Sequence, residues 1–284
     1  MRLCTIAHEG KDQGSLLLES RVIPFESINT SLGTSLPENV GELIFSGRIE
    51  ELRSLLPRLQ YQVQSGIPME EAVWRAPYLH PGKIWGIGLN YPRHAGDLRE
   101  QTPMDEPASF MKPDTTIIGP GQPVRLPPQS RRVTGEAEIG VIIGQECKDV
   151  PLNRVRDVIL GYTTIIDMTA EDILKRNPRF LTRSKSFDTF FSFGPLIVTA
   201  DEIEDVNKLT ITTWHNGRKH RVAPVGDMTF PPFELVSFHS HVMTLKPGDI
   251  ISCGTPGAAP LAPGDVVGCT VDQIGSLENP VQAY

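Results

Sequence analysis

The stretch TGEAEIGVIIG, residues 134 to 144, leads two carboxylates, Glu136 and Glu138, straight into the apolar run Ile139, Val141, Ile142 and Ile143. Residues two apart on a strand share a face, so the two glutamates would lie side by side while Ala137 faces away. Unpaired anions that close repel, and burying them costs several kcal/mol or leaves one protonated, so a positive partner is expected. A metal ion is the natural one. The plainer alternative is an exposed strand end where both glutamates meet water.

A third carboxylate, Asp167, ends the apolar segment LGYTTIID before MTAEDILKR turns helical. Thr169 and Asp172 have the spacing of a capping box, with Asp in place of Glu. Asp167 at a strand end either joins the glutamates or caps the helix. Three carboxylates with waters would suit Mg²⁺ or Mn²⁺, hard cations that prefer oxygen, with Ca²⁺ as a further candidate.

In GLNYPRHAGDLRE, Pro92 fits an early helical position, which would set His94 and Asp97 on one face at i and i+3. A carboxylate that orients an imidazole makes a general base for water; otherwise the two form an exposed ion pair of little energetic weight. Lys185 stands among aromatic residues in SKSFDTFFSFGP, either desolvated and aimed at a developing oxyanion or snorkelling to solvent. The Gly254, Thr255, Pro256 turn offers backbone N–H groups and a hydroxyl that could hold a carboxylate. His239 and His241 in FELVSFHSHVM differ by about 200° on a helix and cannot meet at one ion, so they are expected on a helix surface. GIGLNY lacks the third glycine and the helix of a dinucleotide fingerprint.

These groups need elements to position them. Residues 1–75 read as a small N-terminal unit, with strand candidates LCTIAHE, SLLLES and RVIPFES before the helical VGELIFSGRIEELRSLLPRLQ. Residues 76–284 hold short β-branched runs broken by Gly and Pro. The echoes LKPGDIISC and LAPGDVVGC suggest neighbouring strands of one β-rich body.

The net charge of −7 and pI near 5.5 give no electrostatic footprint for nucleic acid or an anionic membrane. No run approaches the length of a transmembrane helix and no signal peptide is evident, so a cytoplasmic protein is expected. Cys4, Cys147, Cys253 and Cys269 lack paired spacing and read as buried small hydrophobes.

In this order, KIWGIGLNYPRH, ASFMKP, EAEIGVIIG, GYTTIIDMTAED, KSFDTF, GDMTF, MTLKPGDIISCGTPG and LAPGDVVGCTVDQIGSLENPV resemble the fumarylacetoacetate hydrolase family over roughly residues 80–284. The resemblance implies an α+β, β-rich fold of mixed, rolled sheets around one metal, with a small variable N-terminal domain, usually as a homodimer. It implies Glu136, Glu138 and Asp167 as metal ligands, Lys185 as the active-site lysine, Thr255 with Gly254 at the substrate, and His94 with Asp97 on a mobile lid that activates water. Asp97 stands where Glu is common. The implied substrates are small 2-oxo or 1,3-diketo acids, and the leading activity is hydrolysis of a carbon-carbon bond. Oxaloacetate-type decarboxylation, dienoate isomerisation or hydration at the same site, and a degenerate binding paralogue are the alternatives. TAEDIL departs from the usual SARDLQ or TARDVQ: Glu171 stands where Arg is usual and Leu174 where Gln is usual, both at substrate-contacting positions. The charge reversal suggests a more neutral or apolar substrate end, or a pair between Glu171 and Arg183.

Overall fold

The computed structural model describes residues 1–59, 63–98 and 100–284. It is a strand-rich mixed α+β protein whose two sheets, of fourteen and five strands among the described residues, pack on a common core. The main path of the large sheet runs Ile67–Pro68, Arg21–Pro24, Lys11–Leu18, Arg2–His8, Leu196–Thr199, Ile159–Ala170, Val133–Ile143, Ile250–Ser252, Ile84–Gly88 and Ala108–Lys112. Residues 1–75 thus join this sheet through the pairing of Arg2 with Val198, and their helices Phe25–Leu32, Val40–Phe45 and Ile49–Leu59 help to cover it.

The centre is the long antiparallel pair Val133–Ile143 and Ile159–Ala170, buried along its whole length. A strand covered on both faces can be apolar almost throughout, which explains the unbroken run from Ile139. The two faces differ. Val133, Ala137, Ile139, Val141 and Ile143 enter the core shared with Val267, Cys269 and Leu277 of the five-stranded sheet. Ile142, with Ile165 from the partner strand, enters a second core built largely from the N-terminal helices. Glu136 and Glu138 share the face of Ile142, further along the strand.

The two Pro-Gly-Asp echoes are not neighbours: Ile250–Ser252 lies in the large sheet and Val266–Val271 in the small one. A turn motif starts a strand but does not choose its partner. FELVSFHSHVM is helical as expected, over Pro232–Val242, but His239 is fully buried against Trp85, and only His241 is exposed.

Candidate metal and active site

Register brings the carboxylates together. Glu136 lies directly opposite Asp167, and Glu138, one pleat further on the same face, lies opposite Ile165. Their ligating oxygens all fall within 4.8 Å of one another and all three residues are buried, which removes the exposed strand end as an account of the pair. The strand continues past Asp167 to Ala170, so Asp167 neither ends it nor caps a helix. The capping box also fails to form. Thr169 stays in the strand and donates to Glu136 Oε2 at 3.1 Å, while Asp172 accepts from Ser130 Oγ and the Arg131 N–H. β-Branched Thr suits the pleat, and its hydroxyl finds a better acceptor inside the sheet.

Two ammonium groups reach into the triad. Lys185, on the short helix Leu181–Lys185, places Nζ 2.7 Å from Glu136 Oε2 and 2.9 Å from Asp167 Oδ2, so it points inward and does not snorkel. Its Nζ also lies 4.7 Å from the centroid of the Phe110 ring, an aromatic from the strand Ala108–Lys112 rather than from SKSFDTFFSFGP. Lys112 was not singled out from sequence, although it sits in ASFMKP. From the strand Ala108–Lys112 it donates to Asp167 Oδ1 at 2.5 Å and to the carbonyls of Lys185 and Met168. Its signal was the strand alternation that turns Phe110 and Lys112 to the same side, both buried.

Burial alone would lower both lysines. At Lys185 the surrounding carboxylates outweigh it, raising the pKa and keeping the group charged. At Lys112 burial prevails over Asp167, bringing it down to about 8. Glu138 is pushed up to about 8 by burial and by Asp167, against the opposing pull of Lys185. Three carboxylates against two ammoniums leave an excess of negative charge in a dry site, and Glu138 registers it. Hard oxygen donors, close grouping and excess negative charge fit a divalent cation of the Mg²⁺, Mn²⁺ or Ca²⁺ kind.

Glu138 is also held in place by Ser252 Oγ at 2.5 Å and the Gly254 N–H at 2.8 Å. The carboxylate held by the 254–256 turn is therefore the protein's own. Gly254 has φ +99°, and a Cβ there would lie 2.8 Å from Asn90 Cβ, so only glycine brings this N–H so close to Glu138. Thr255 is buried, and its hydroxyl exchanges hydrogen bonds with the backbone of Gly257.

His94 is buried on the helix Pro92–Asp97, within electrostatic reach of Glu136, Lys185, Asp97 and Glu171, and burial lowers its pKa to favour the neutral ring. Asp97 does not orient it: no hydrogen bond joins the two among the described residues, and the Asp97 carboxylate instead accepts from Arg221 Nη2 at 2.9 Å. Glu171, nearly buried, pairs with Arg132 and, at 3.2 Å, with Lys175. Arg183 is not its partner and donates to Gln129. Burial tends to raise Glu171, but these ion pairs outweigh it and hold the carboxyl below its ordinary value. Two cations around one carboxylate offset the negative charge that Glu171 brings to this position. Leu174 lies half-buried in the same helix, Glu171–Arg176.

Comparison with known proteins gives the same outline. An uncharacterized protein of Archaeoglobus fulgidus is 44% identical over 209 residues, covering 73% of this chain and 82% of that protein. A mitochondrial oxaloacetate tautomerase of Xenopus laevis is 36% identical over 72% of this chain and 67% of its own. Among solved structures, maleylpyruvate hydrolase from Sphingobium sp. SYK-6 in complex with manganese(II) and pyruvate superposes with a TM-score of 0.80 at 27% identity, over 100% of this chain and 99% of that one. A 2-hydroxyhepta-2,4-diene-1,7-dioate isomerase from Mycobacterium marinum gives 0.76 at 32% identity, over 100% and 99%. The family model described as fumarylacetoacetate (FAA) hydrolase C-terminal matches residues 83–282, and the chain belongs to that family.

Proposed function

We propose that the protein is a divalent-cation-dependent enzyme that enolises a 2-oxo acid, and that its reaction is tautomerisation or isomerisation. The observation that carries the chemistry is the buried triad Glu136, Glu138 and Asp167 with Lys185 and Lys112 on its flank. Those carboxylates would hold the cation, which when bound would polarise the carbonyl oxygens of a 2-oxo acid and favour its enolate. Lys185, kept protonated by its neighbours, stabilises negative charge developing on the substrate oxygen. Lys112 fixes Asp167 and the backbone at Lys185. His94, neutral near pH 7, takes a proton from the carbon beside the carbonyl and returns it. Thr255 and the 254–257 turn border the substrate.

Carbon-carbon bond hydrolysis is the second reading, supported by the manganese- and pyruvate-bound hydrolase among the similar structures. It needs an oriented base for water, and the engagement of Asp97 by Arg221 weighs against it. The names tautomerase and isomerase among the relatives weigh the same way.

Two measurements test the proposal. Mn²⁺ at about a hundred times its dissociation constant should stabilise the fold by about 2.7 kcal/mol, and oxalate, a planar mimic of a pyruvate enolate, should add a further shift. In D₂O with Mg²⁺, exchange of the C3 protons of a 2-oxo acid panel, followed by NMR, should be accelerated without release of a second acid. A melting curve indifferent to both additives, together with no exchange on any member of the panel, would sink the reading. Released acid carrying solvent oxygen would replace it with hydrolysis.

A further inference from the structure

The helix that carries His94 is tied down at both ends. Before it, Asn90 donates to the carbonyls of Phe230 and Cys253, and Tyr91 Oη donates to the Pro224 carbonyl. At its far end the tie is Asp97 to Arg221, which comes from the strand Arg218–Pro224 of the small sheet. Arg221 also packs over the turn beside the triad. A Cβ on Gly257 would lie 2.4 Å from Arg221 Cγ and 3.0 Å from its Nε, so the glycine makes room for the arginine stem. Thr213, opposite Arg221 in the register, donates to the same Gly257 carbonyl that Thr255 uses. Arg221 Nε is buried without a hydrogen-bond partner among the described residues. One guanidinium thus spans the His94 helix and the Gly254–Gly257 turn. On the helix, Asp97 lies three residues from His94 and four from Arg93, and besides Arg221 these are the groups that act on its carboxylate, so a released Asp97 can turn to His94.

We propose that Arg221 is a positioning residue that selects the fate of the enolised substrate: by holding Asp97 it leaves His94 without a carboxylate partner, and freeing Asp97 turns the site toward hydrolysis. This rests on the enolising function proposed above. The two outcomes differ in their atoms. In tautomerisation a proton leaves the C3 carbon and returns elsewhere on the same molecule. In hydrolysis of an acylpyruvate, the hydroxyl of water joins the acyl carbon, the electron pair of the broken bond goes to the pyruvate enolate carbon, and that carbon takes the remaining proton.

The test uses the full-length Mg²⁺-loaded protein with Arg221→Gln, Asp97→Asn, both together, and Arg221→Lys, which keeps a cation for Asp97. The first readout is the NMR titration midpoint of the His94 imidazole. Glu136, Lys185 and Glu171 also act on His94 but are the same in every variant, so differences isolate Asp97. Arg221→Gln should raise the midpoint by about one unit. Asp97→Asn and the double variant should not raise it, and Arg221→Lys should stay near the parent. The second readout is ¹⁸O from labelled water in the released acid, relative to C3 deuterium exchange, with one acylpyruvate; Arg221→Gln should increase the ratio about tenfold or more. General loosening of the fold would move Arg221→Gln and Asp97→Asn alike and would overturn the proposal. So would an unchanged midpoint in Arg221→Gln, or a raised midpoint with no gain in label. If the parent exchanges no proton on any 2-oxo acid, the enolising reading fails, and the midpoints still decide whether Arg221 holds Asp97 from His94.

Discussion

The two halves of the central strand pair share backbone, pairing and burial, yet they are built for opposite ends. From Ile139 to Ile143 the strand is filled with aliphatic side chains in two cores. From Thr134 to Glu138, and across at Asp167 and Thr169, the same sheet holds three carboxylates and two hydroxyls, with two lysines reaching in from elsewhere. Aliphatic burial adds roughly 25 cal/mol per Å² removed from water. A buried ion cluster roughly breaks even at best, because desolvation cancels much of the attraction. The contrast teaches that stability alone does not account for the charged half, and that its charges depend on one another in a way the aliphatic half does not.

The sharpest break is Asp167→Ala. It strands Lys112 and Lys185 without their shared carboxylate, and the expected cost is about 3–5 kcal/mol in urea unfolding, with loss of any Mn²⁺-induced melting shift. Ile166→Val, one residue away but on the aliphatic face, should cost only about 0.5–1.5 kcal/mol and leave the Mn²⁺ shift intact. If both variants lose the metal response equally, the two faces are not separable.

A pH scan sharpens the comparison at a buried titrating group far from the carboxylates in sequence. Burial lowers the pKa of His239 below its ordinary 6.5, so the unfolded chain binds that proton more readily. The stability present above pH 6.5 is therefore lost as pH falls through the lower folded value. His239→Phe should flatten the fall in melting temperature over that acidic range; an unaltered slope would mean that His239 is not responsible. The smallest effect belongs to the rim. Lys175→Ala removes an i,i+4 pair with Glu171 on a largely exposed lysine and should cost at most about 0.5 kcal/mol.

What was legible in the sequence follows this division. Period-2 spacing placed Glu136 and Glu138 on one face, and the apolar segment before Asp167 marked a second strand, because both signals are local, while their pairing is not. Lys112 escaped notice because a single lysine in a short strand carries no pattern of its own until its partner, 55 residues away, is in place. Thr169 was misread for a related reason: its spacing to Asp172 suits a cap, and only the sheet offers it Glu136. The expected partnership of Asp97 with His94 relied on helical spacing, which does hold, but Arg221 competes from 124 residues further along the chain. Neither glycine of the 254–257 turn advertises that it clears space for Asn90 or for Arg221.

The pairing of Glu136 with Asp167 has one more consequence. A slip of one residue between the strands would turn both glutamates into the aliphatic layer beneath the small sheet, away from either lysine. A misaligned chain would then lose stability and the clustered carboxylates together, so the three acids also proofread the alignment of the sheet.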